Sequence, residues 1–422
     1  MSVTQFTRDG DWKPWTSLFT NASFLILNTL LGSLFGFAFW MIATRIYNPV
    51  EIGIGAAYIS SITLLSTLGD MGLGITLIRF APTSGQQKKG FINTSAIAVA
   101  ACTFVFATVF VFGAPLWSPE FKFLANTSWL VLGFVGTALS FSLAQFTDRL
   151  FIAFENSQYL VFRNLLFNVI RIAFLVLFAH SFRVFGLLLS IGVAALITLF
   201  VSILVFVPRV ITGYRVSKEF AWLSVFGKAR YTIGNHISQL LWNLPQLLYP
   251  LLIINFLGAR SNALFYTSWM IANLLFILPT ALSTSAFANI SNSQGAGRSR
   301  IWKIMRWTLV CEIPVVLGMV AFSGFLLGMF GNEYARGGTL LNLLLLSIFP
   351  YTVISYMIVD YRICQDTRGL VCLVGFTAIV SIILVVGLGC EFSITGIGIG
   401  WIVGQTLGMI FGFFSNFKKV LL

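Results

Sequence analysis

Between Asn21 and Phe80 two long apolar segments meet at Thr44-Arg45-Ile46-Tyr47-Asn48-Pro49, and each is long enough to cross a bilayer. A soluble core needs neither, so the pair confines the chain to folds whose solvent is lipid. The second segment runs out as Asp70-Met71-Gly72-Leu73-Gly74 and ends at Leu77-Ile78-Arg79-Phe80, with a carboxylate inside apolar sequence. The rest of the chain repeats the pattern. At 58% hydrophobic and 9% charged residues, with a mean hydropathy of +0.91, it has too little polar surface to clothe a globule of 422 residues.

Apolar runs and their breaks predict spans near 16 to 44, 52 to 78, 91 to 116, 127 to 147, 159 to 180 and 185 to 207. A second set falls near 230 to 256, 262 to 289, 303 to 330, 338 to 359, 370 to 390 and 394 to 416. Alternation of these twelve spans leaves only Arg45, Lys122, Arg183, Arg260 and Arg336 in outer connections. Basic residues from Arg79, Lys88 and Lys89 through Arg209, Arg215, Lys218 and Lys228 to Lys418 and Lys419 fall on the other side. Lys and Arg favour cytoplasmic loops, so both termini are expected inside. The start (Arg8, Asp9, Asp11, Lys13) leads into the first span without a small-residue cleavage site, and no cleaved signal is expected.

The longest polar interruption, Pro208 to Ala229, mixes basic residues with Tyr214, Phe220 and Trp222, as suits a segment in the headgroup region. Sliding the chain by half its length sets the bend Asn48-Pro49-Val50-Glu51-Ile52-Gly53 near Ala259-Arg260-Ser261-Asn262-Ala263-Leu264. The expected fold class is therefore an all-α polytopic membrane protein of twelve transmembrane helices in two six-helix bundles. Residues 1–207 form the first lobe, 208–229 an interfacial linker and 230–422 the second lobe, with binding expected between the lobes.

Polar side chains inside spans are costly unless they face protein or water, so they mark candidate sites. His236, Gln239, Asn243 and Gln246 step by three, four and three along one face of the seventh span, beside Pro245 and Pro250. They line either a cavity or an interhelical seam. In the second span Ser60, Thr63, Thr67, Asp70 and Gly74 share a face, and Asp70 is a candidate for ion coupling or for a permanent pair with an arginine. The fifth span holds Arg163, Asn164, Asn168 and Arg171. Arg171 lies too deep to reach headgroups, so it either pairs with an acid such as Asp70 or Glu312 or offers its guanidinium fork to a phosphate. Arg163 is shallower and reads as a ligand contact or an interfacial anchor. Glu312 is expected in a structural ion pair, and Asn28 with Gly32 on a lumen or a close-packed face. Gly396, Gly400, Gly404, Gly408 and Gly412 recur every fourth residue, which lets helix backbones approach closely.

Other function classes find little support. The net charge of +13 is spread over loops rather than clustered on one solvated face, so no nucleic-acid partner is implied. Cys102, Cys311, Cys364, Cys372 and Cys390 have no CxxC spacing and read as buried small hydrophobes, not as a disulfide framework or metal site. There is no Walker loop, GxSxG elbow or HExxH, and no cofactor is implied. A membrane enzyme such as a polysaccharide polymerase would need acids or histidines on a sizeable outer loop, where only isolated Glu51, Glu120, Glu333, Glu391 and His180 occur.

The block with Asn21-Ala22-Ser23-Phe24, Phe39-Trp40-Met41-Ile42-Ala43-Thr44-Arg45, Tyr47-Asn48-Pro49-Val50-Glu51-Ile52-Gly53 and Asp70-Met71-Gly72-Leu73-Gly74 resembles the polysaccharide-transporter, Wzx-type oligosaccharide flippases of the MOP superfamily. Leu257-Gly258-Ala259-Arg260 with Tyr266, and Phe287-Ala288-Asn289-Ile290-Ser291, look like the family's second-half pattern. The resemblance implies a MATE-like two-lobed flippase that moves a polyprenyl-diphosphate-linked oligosaccharide, an O-antigen or other surface polysaccharide unit, across the cytoplasmic (inner) membrane by alternating access. Membrane lipids and the pathway's polymerase and glycosyltransferases are the partners it implies, and catalysis is not expected. Lipid II flippases of the superfamily usually have fourteen spans, whereas twelve are read here. A MATE-like cation-coupled small-molecule exporter is the alternative, distinguished by whether Arg163 and Arg171 face a common lumen.

Overall fold

Capping chemistry explains why the chain reverses where it does after its first span. Asn48 Oδ1 accepts from the Glu51 backbone N–H at 3.0 Å, and the Asn48 N–H donates to Glu51 Oε2 at 3.0 Å. This reciprocal cap, with proline at the first helical position, contributes about 1 kcal/mol and fixes the helix start. It separates α1 (Trp12–Ile46) from α2 (Pro49–Asp70). Beside the cap, the buried Tyr47 hydroxyl donates to the Leu175 carbonyl at 3.4 Å. Burial, with the Glu51 carboxylate adding to it, pushes this phenol up to about 12, so it stays a neutral donor.

The computed structural model describes residues 12–182, 184–211, 219–227, 229–291, 297–364 and 366–420. The charged start at Arg8, Asp9 and Asp11, together with Arg183, Tyr214, Arg215, Lys218 and Lys228, lies outside these. The order continues with α3 (Leu73–Phe80), α4 (Lys88–Trp117), α5 (Ser128–Ala153), α6 (Ser157–Phe182) and α7 (Val184–Val201). Then follow α8 (Ala229–Ser291), α9 (Gly297–Ala321), α10 (Gly338–Leu346), α11 (Ile348–Ile363) and α12 (Thr367–Val420). Among the described residues there is no strand, and ten helical stretches are long and apolar enough to cross a membrane. Two of these, of 52 and 49 residues, lie in α8 and α12. Each is broken by one non-helical residue, Gly258 (φ 81°) or Ser393 (φ 55°). The sequence reading of twelve spans divides both of these helices, whereas the described residues hold ten apolar stretches.

Two expectations need correction. The second span is not continuous: Met71 (φ 48°) and Gly72 (φ 79°) adopt left-handed backbone, ending α2 at Asp70 and restarting α3 at Leu73. Hydropathy is blind to this break because both flanks are apolar. Within α2, Thr63 donates to the Ile59 carbonyl and Thr67 to the Thr63 carbonyl. Four of the five cysteines, Cys311, Cys364, Cys372 and Cys390, are exposed and Cys102 is half-buried. In a bundle whose outer faces meet lipid, an apolar thiol is as well accommodated outside as inside. Leu132, Phe112 and Leu317 show the same outward apolar face.

Close backbone approaches hold the two halves of the chain together. The Asn262 amide donates to the Gly53 carbonyl at 2.8 Å, and a Cβ at Gly53 would lie 1.8 Å from the Ala259 oxygen. The two bends related by the half-length repeat thus touch one another at the expected outer end. Nearer the other end, Thr76 and Thr232 share a hydrogen bond of 2.6 Å. Within α12, the glycine stripe packs the segment after Ser393 on the one before it: Gly396 meets Leu388, Gly400 Leu384, Gly404 Ser381 and Gly408 Thr377. In the interfacial stretch, Phe220, Trp222 and Phe226 are exposed and stack on one another, and the Ala221 N–H donates to Thr94 Oγ1 at 2.8 Å.

Candidate functional site

Two cavities lie between residues of the first and second halves. The deeper one, about 520 Å³, is walled by α1, α5 and α6 through Asn28, Gly36, Trp40, Gln145, Asp148, Arg163, Asn164 and Arg171. It is closed on the far side by Tyr266, Met270 and Asn273 of α8. The second, about 1030 Å³, lies toward the end assigned to the cytoplasm. Arg79 and Arg149 border it from the first half, and Ser238, Gln239, Trp242, Asn243, Thr280, Ser355 and Arg362 from the second. Each is within or just above the usual range of ligand sites, about 300–1000 Å³.

Both arginines of α6 face the deep cavity, in different states. Arg163 is gripped by Asp148: its Nε donates to Oδ1 at 2.7 Å and its Nη2 to Oδ2 and to Asn164 Oδ1. Asn164 passes the chain on, donating to Asn28 Oδ1 at 2.7 Å, and Asn168 donates to the Asn164 carbonyl at 2.7 Å. Arg171, 7% exposed, makes no ion pair among the described residues, and its Nε has no hydrogen-bond partner. Its guanidinium lies over the rings of Phe39 at 4.5 Å and Phe167 at 5.2 Å, contacts worth about 1–2 kcal/mol when desolvated. Gly36 leaves room beside it, since a Cβ there would sit 3.9 Å from Arg171 Nη2. Neither Asp70 nor Glu312 reaches it.

Three residues of the seventh-span stripe, His236, Gln239 and Asn243, face the first half or the cavity between the halves, whereas Gln246 faces within the second half. His236 packs at Gly72, Gln239 and Asn243 line the larger cavity, and Gln246 borders a small void shared with Trp242, Asn273 and Tyr351. The amides are linked within the helix: Asn243 Nδ2 donates to the Gln239 carbonyl at 3.0 Å, and Gln246 Nε2 to Asn243 Oδ1 at 2.9 Å. Asp70 lies behind this cavity. Its Oδ1 accepts from the Gly74 N–H at 3.0 Å, and the Arg149 guanidinium and the His236 imidazole are its neighbours.

Glu312 departs from expectation, because no base pairs with it among the described residues. Its Oε1 accepts from Thr352 at 2.7 Å and its Oε2 is buried without a partner. Sequence reasoning missed Asp148, Arg149 and Arg362. Asp148 sits just beyond the span expected near 127 to 147, yet α5 continues to Ala153. A signal existed: Asp148 and Arg163 are equidistant from the Glu155–Asn156 turn, so an antiparallel hairpin sets them opposite each other.

Long apolar helices broken near their own midpoints, a cavity between the halves and a buried cation without an ion pair among the described residues define a multi-pass membrane protein of the transporter type. The family model described as polysaccharide biosynthesis protein matches residues 18–287, and the chain belongs to that family. No curated protein matches the sequence at a significant level. The fold is similar to that of the lipid II flippase MurJ in an inward closed conformation, with TM-score 0.74 at 14% identity over 94% of this chain and 87% of that one. It is also similar to an inward-facing multidrug resistance MATE family transporter of the MOP superfamily, with TM-score 0.66 at 14% identity over 92% and 94%. A MOP superfamily transporter from Pyrococcus furiosus aligns with TM-score 0.56 at 14% identity over 96% and 94%. The protein thus has the MOP-superfamily fold.

Proposed function

We infer that the chain is a flippase that carries a polyprenyl-diphosphate-linked oligosaccharide out across the cytoplasmic membrane, and that it catalyses no covalent step. The observation that carries this reading is Arg171, a buried guanidinium without a counter-ion beside an inter-half cavity. A lone cation in a low-dielectric interior is unfavourable until an anion joins it, and a diphosphate offers paired oxygens to its fork. The amides of Asn28, Gln239, Asn243 and Gln246 suit sugar hydroxyls. Membership of a polysaccharide-biosynthesis family and a fold shared with a lipid II flippase agree with a lipid-carried glycan.

In this reading residues 1–207 and 230–422 are lobes joined by the linker 208–229. They alternate about the contact of Gly53 with Ala259 and Asn262. Arg163 holds α5 to α6 through Asp148, while Asp70, beside Arg149 and His236, is the candidate for ion coupling. The test is flipping of a fluorescent polyprenyl-diphosphate oligosaccharide in proteoliposomes. Arg171→Ala loses transport and Arg171→Lys retains part of it, because charge survives and the fork does not. Wild-type flipping by the Ala variant removes Arg171 from the site, and movement of organic cations without the glycan replaces the flippase with a cation-coupled exporter.

A further inference from the structure

Glu312 lies on the buried face of α9 with Thr308 and Val316, one turn to either side, while Cys311 and Ile313 turn outward, and its carboxyl points into the seam with α11. It is fully buried there. Two polar rungs cross this seam one helical turn apart: Thr352 Oγ1 donates to Glu312 Oε1 at 2.7 Å, and Thr308 and Tyr356 share a hydrogen bond of 2.7 Å. The second carboxyl oxygen, Oε2, is buried without a partner.

No compensating charge faces it. Tyr356 is the titratable group opposite on α11. Arg306 on α9 itself is six residues toward the cytoplasmic end, with Lys303 and Arg300 further on. α10 and the short helix Ser323–Gly328 carry no ionisable side chain, and Arg260 of α8 is engaged with Glu333 at 2.7 Å. His236 of α8 faces Gly72 and Asp70. An ionised carboxylate in this seam would be a buried charge with one hydroxyl for support, whereas the protonated form leaves only one neutral group short of a partner. A sodium ion is poorly served by a single carboxyl and one nearby hydroxyl, since hard cations gather several oxygens.

The same helix borders the transport cavity. Ser355, Val359 and Arg362 of α11 line the larger cavity, while Thr352 and Tyr356 hold the seam with α9. Pro314, two residues after Glu312, removes a backbone donor from α9 and provides a place for that helix to flex.

We propose that Glu312 is a proton-binding site of the second half: a neutral carboxyl that latches α9 to α11, and whose release of its proton to water on opening of the seam is linked to movement of the cavity wall. The chemistry is a simple O–H dissociation that leaves a carboxylate and a hydrated proton. The proposal extends the transport reading, yet its test uses no substrate, so its failure leaves that reading standing.

The experiment is infrared spectroscopy and hydrogen exchange on the full chain in lipid nanodiscs, titrated with alkali. The wild type shows a protonated-carboxyl C=O band at neutral pH that Glu312→Gln lacks, and Thr352→Val shifts the band's frequency. Exchange in 304–316 and 348–359, corrected for intrinsic rate, rises several-fold in the wild type as the band disappears and stays flat in Glu312→Gln. Absence of a band assignable to Glu312 at neutral pH overturns the proposal. A band erased by sodium chloride but not by potassium chloride also overturns it, giving the site to a sodium ion, and exchange unaffected by loss of the band refutes the latch.

Discussion

Arg163 and Arg171 stand two turns apart on one helix, border one cavity and are equally buried, yet their surroundings are opposite. Arg163 closes a circuit with Asp148, Asn164 and Asn28, so its charge and donors are committed within the protein. Arg171 rests between Phe39 and Phe167 with no acid beside it. Burial alone therefore does not mark a ligand contact in a membrane. In the proposed function, an unspent charge facing a cavity does.

The largest effect that separates the two concerns stability. Arg163→Met strands the Asp148 carboxylate and is expected to cost about 3–5 kcal/mol, read as a fall in the midpoint of thermal unfolding in detergent. The double variant Arg163→Met/Asp148→Leu recovers most of that loss, because both charges leave together. Arg171→Ala, which deletes an unpaired buried charge, leaves the midpoint unchanged or raised. An equal fall for the two single variants would erase the distinction.

The smallest effect lies at the exposed pair Arg260–Glu333, with side chains 61% and 53% exposed. Glu333→Gln is expected to change stability by less than about 1 kcal/mol and to leave flipping intact. A larger loss would mean that this surface pair contributes to the transport cycle and that ion pairing alone does not mark structural residues.

Much of the fold was legible because it follows local rules. The Asn48 cap, the span pattern and the glycine face after Ser393 each rest on residue chemistry that needs no knowledge of distant contacts. The half-length repeat aligned the bend at Gly53 with the region of Ala259 to Leu264 as equivalent positions; the contact between those bends is a packing feature that the alignment did not foretell.

The site was less legible. Hydropathy could place Arg171 in the membrane but not show whether an acid meets it, since Asp70 and Glu312 were equally available until helix directions were known. Beyond Asp70 the helical arithmetic no longer applies, because Met71 and Gly72 leave helical backbone, although Gly74 stays beside Asp70 through a backbone bond to its carboxylate. Arg149 and Arg362 were read as loop charges, and only packing shows that both border a cavity.

The central claim is that Arg171 receives the anionic headgroup of a lipid-carried glycan. The most direct test is equilibrium binding of a short-chain polyprenyl diphosphate to the purified protein in nanodiscs. Arg171→Ala is expected to weaken binding by at least about 30-fold, the lower end of losing a buried charged contact, while Arg163→Met/Asp148→Leu stays within about threefold. Undiminished binding by Arg171→Ala would contradict the account.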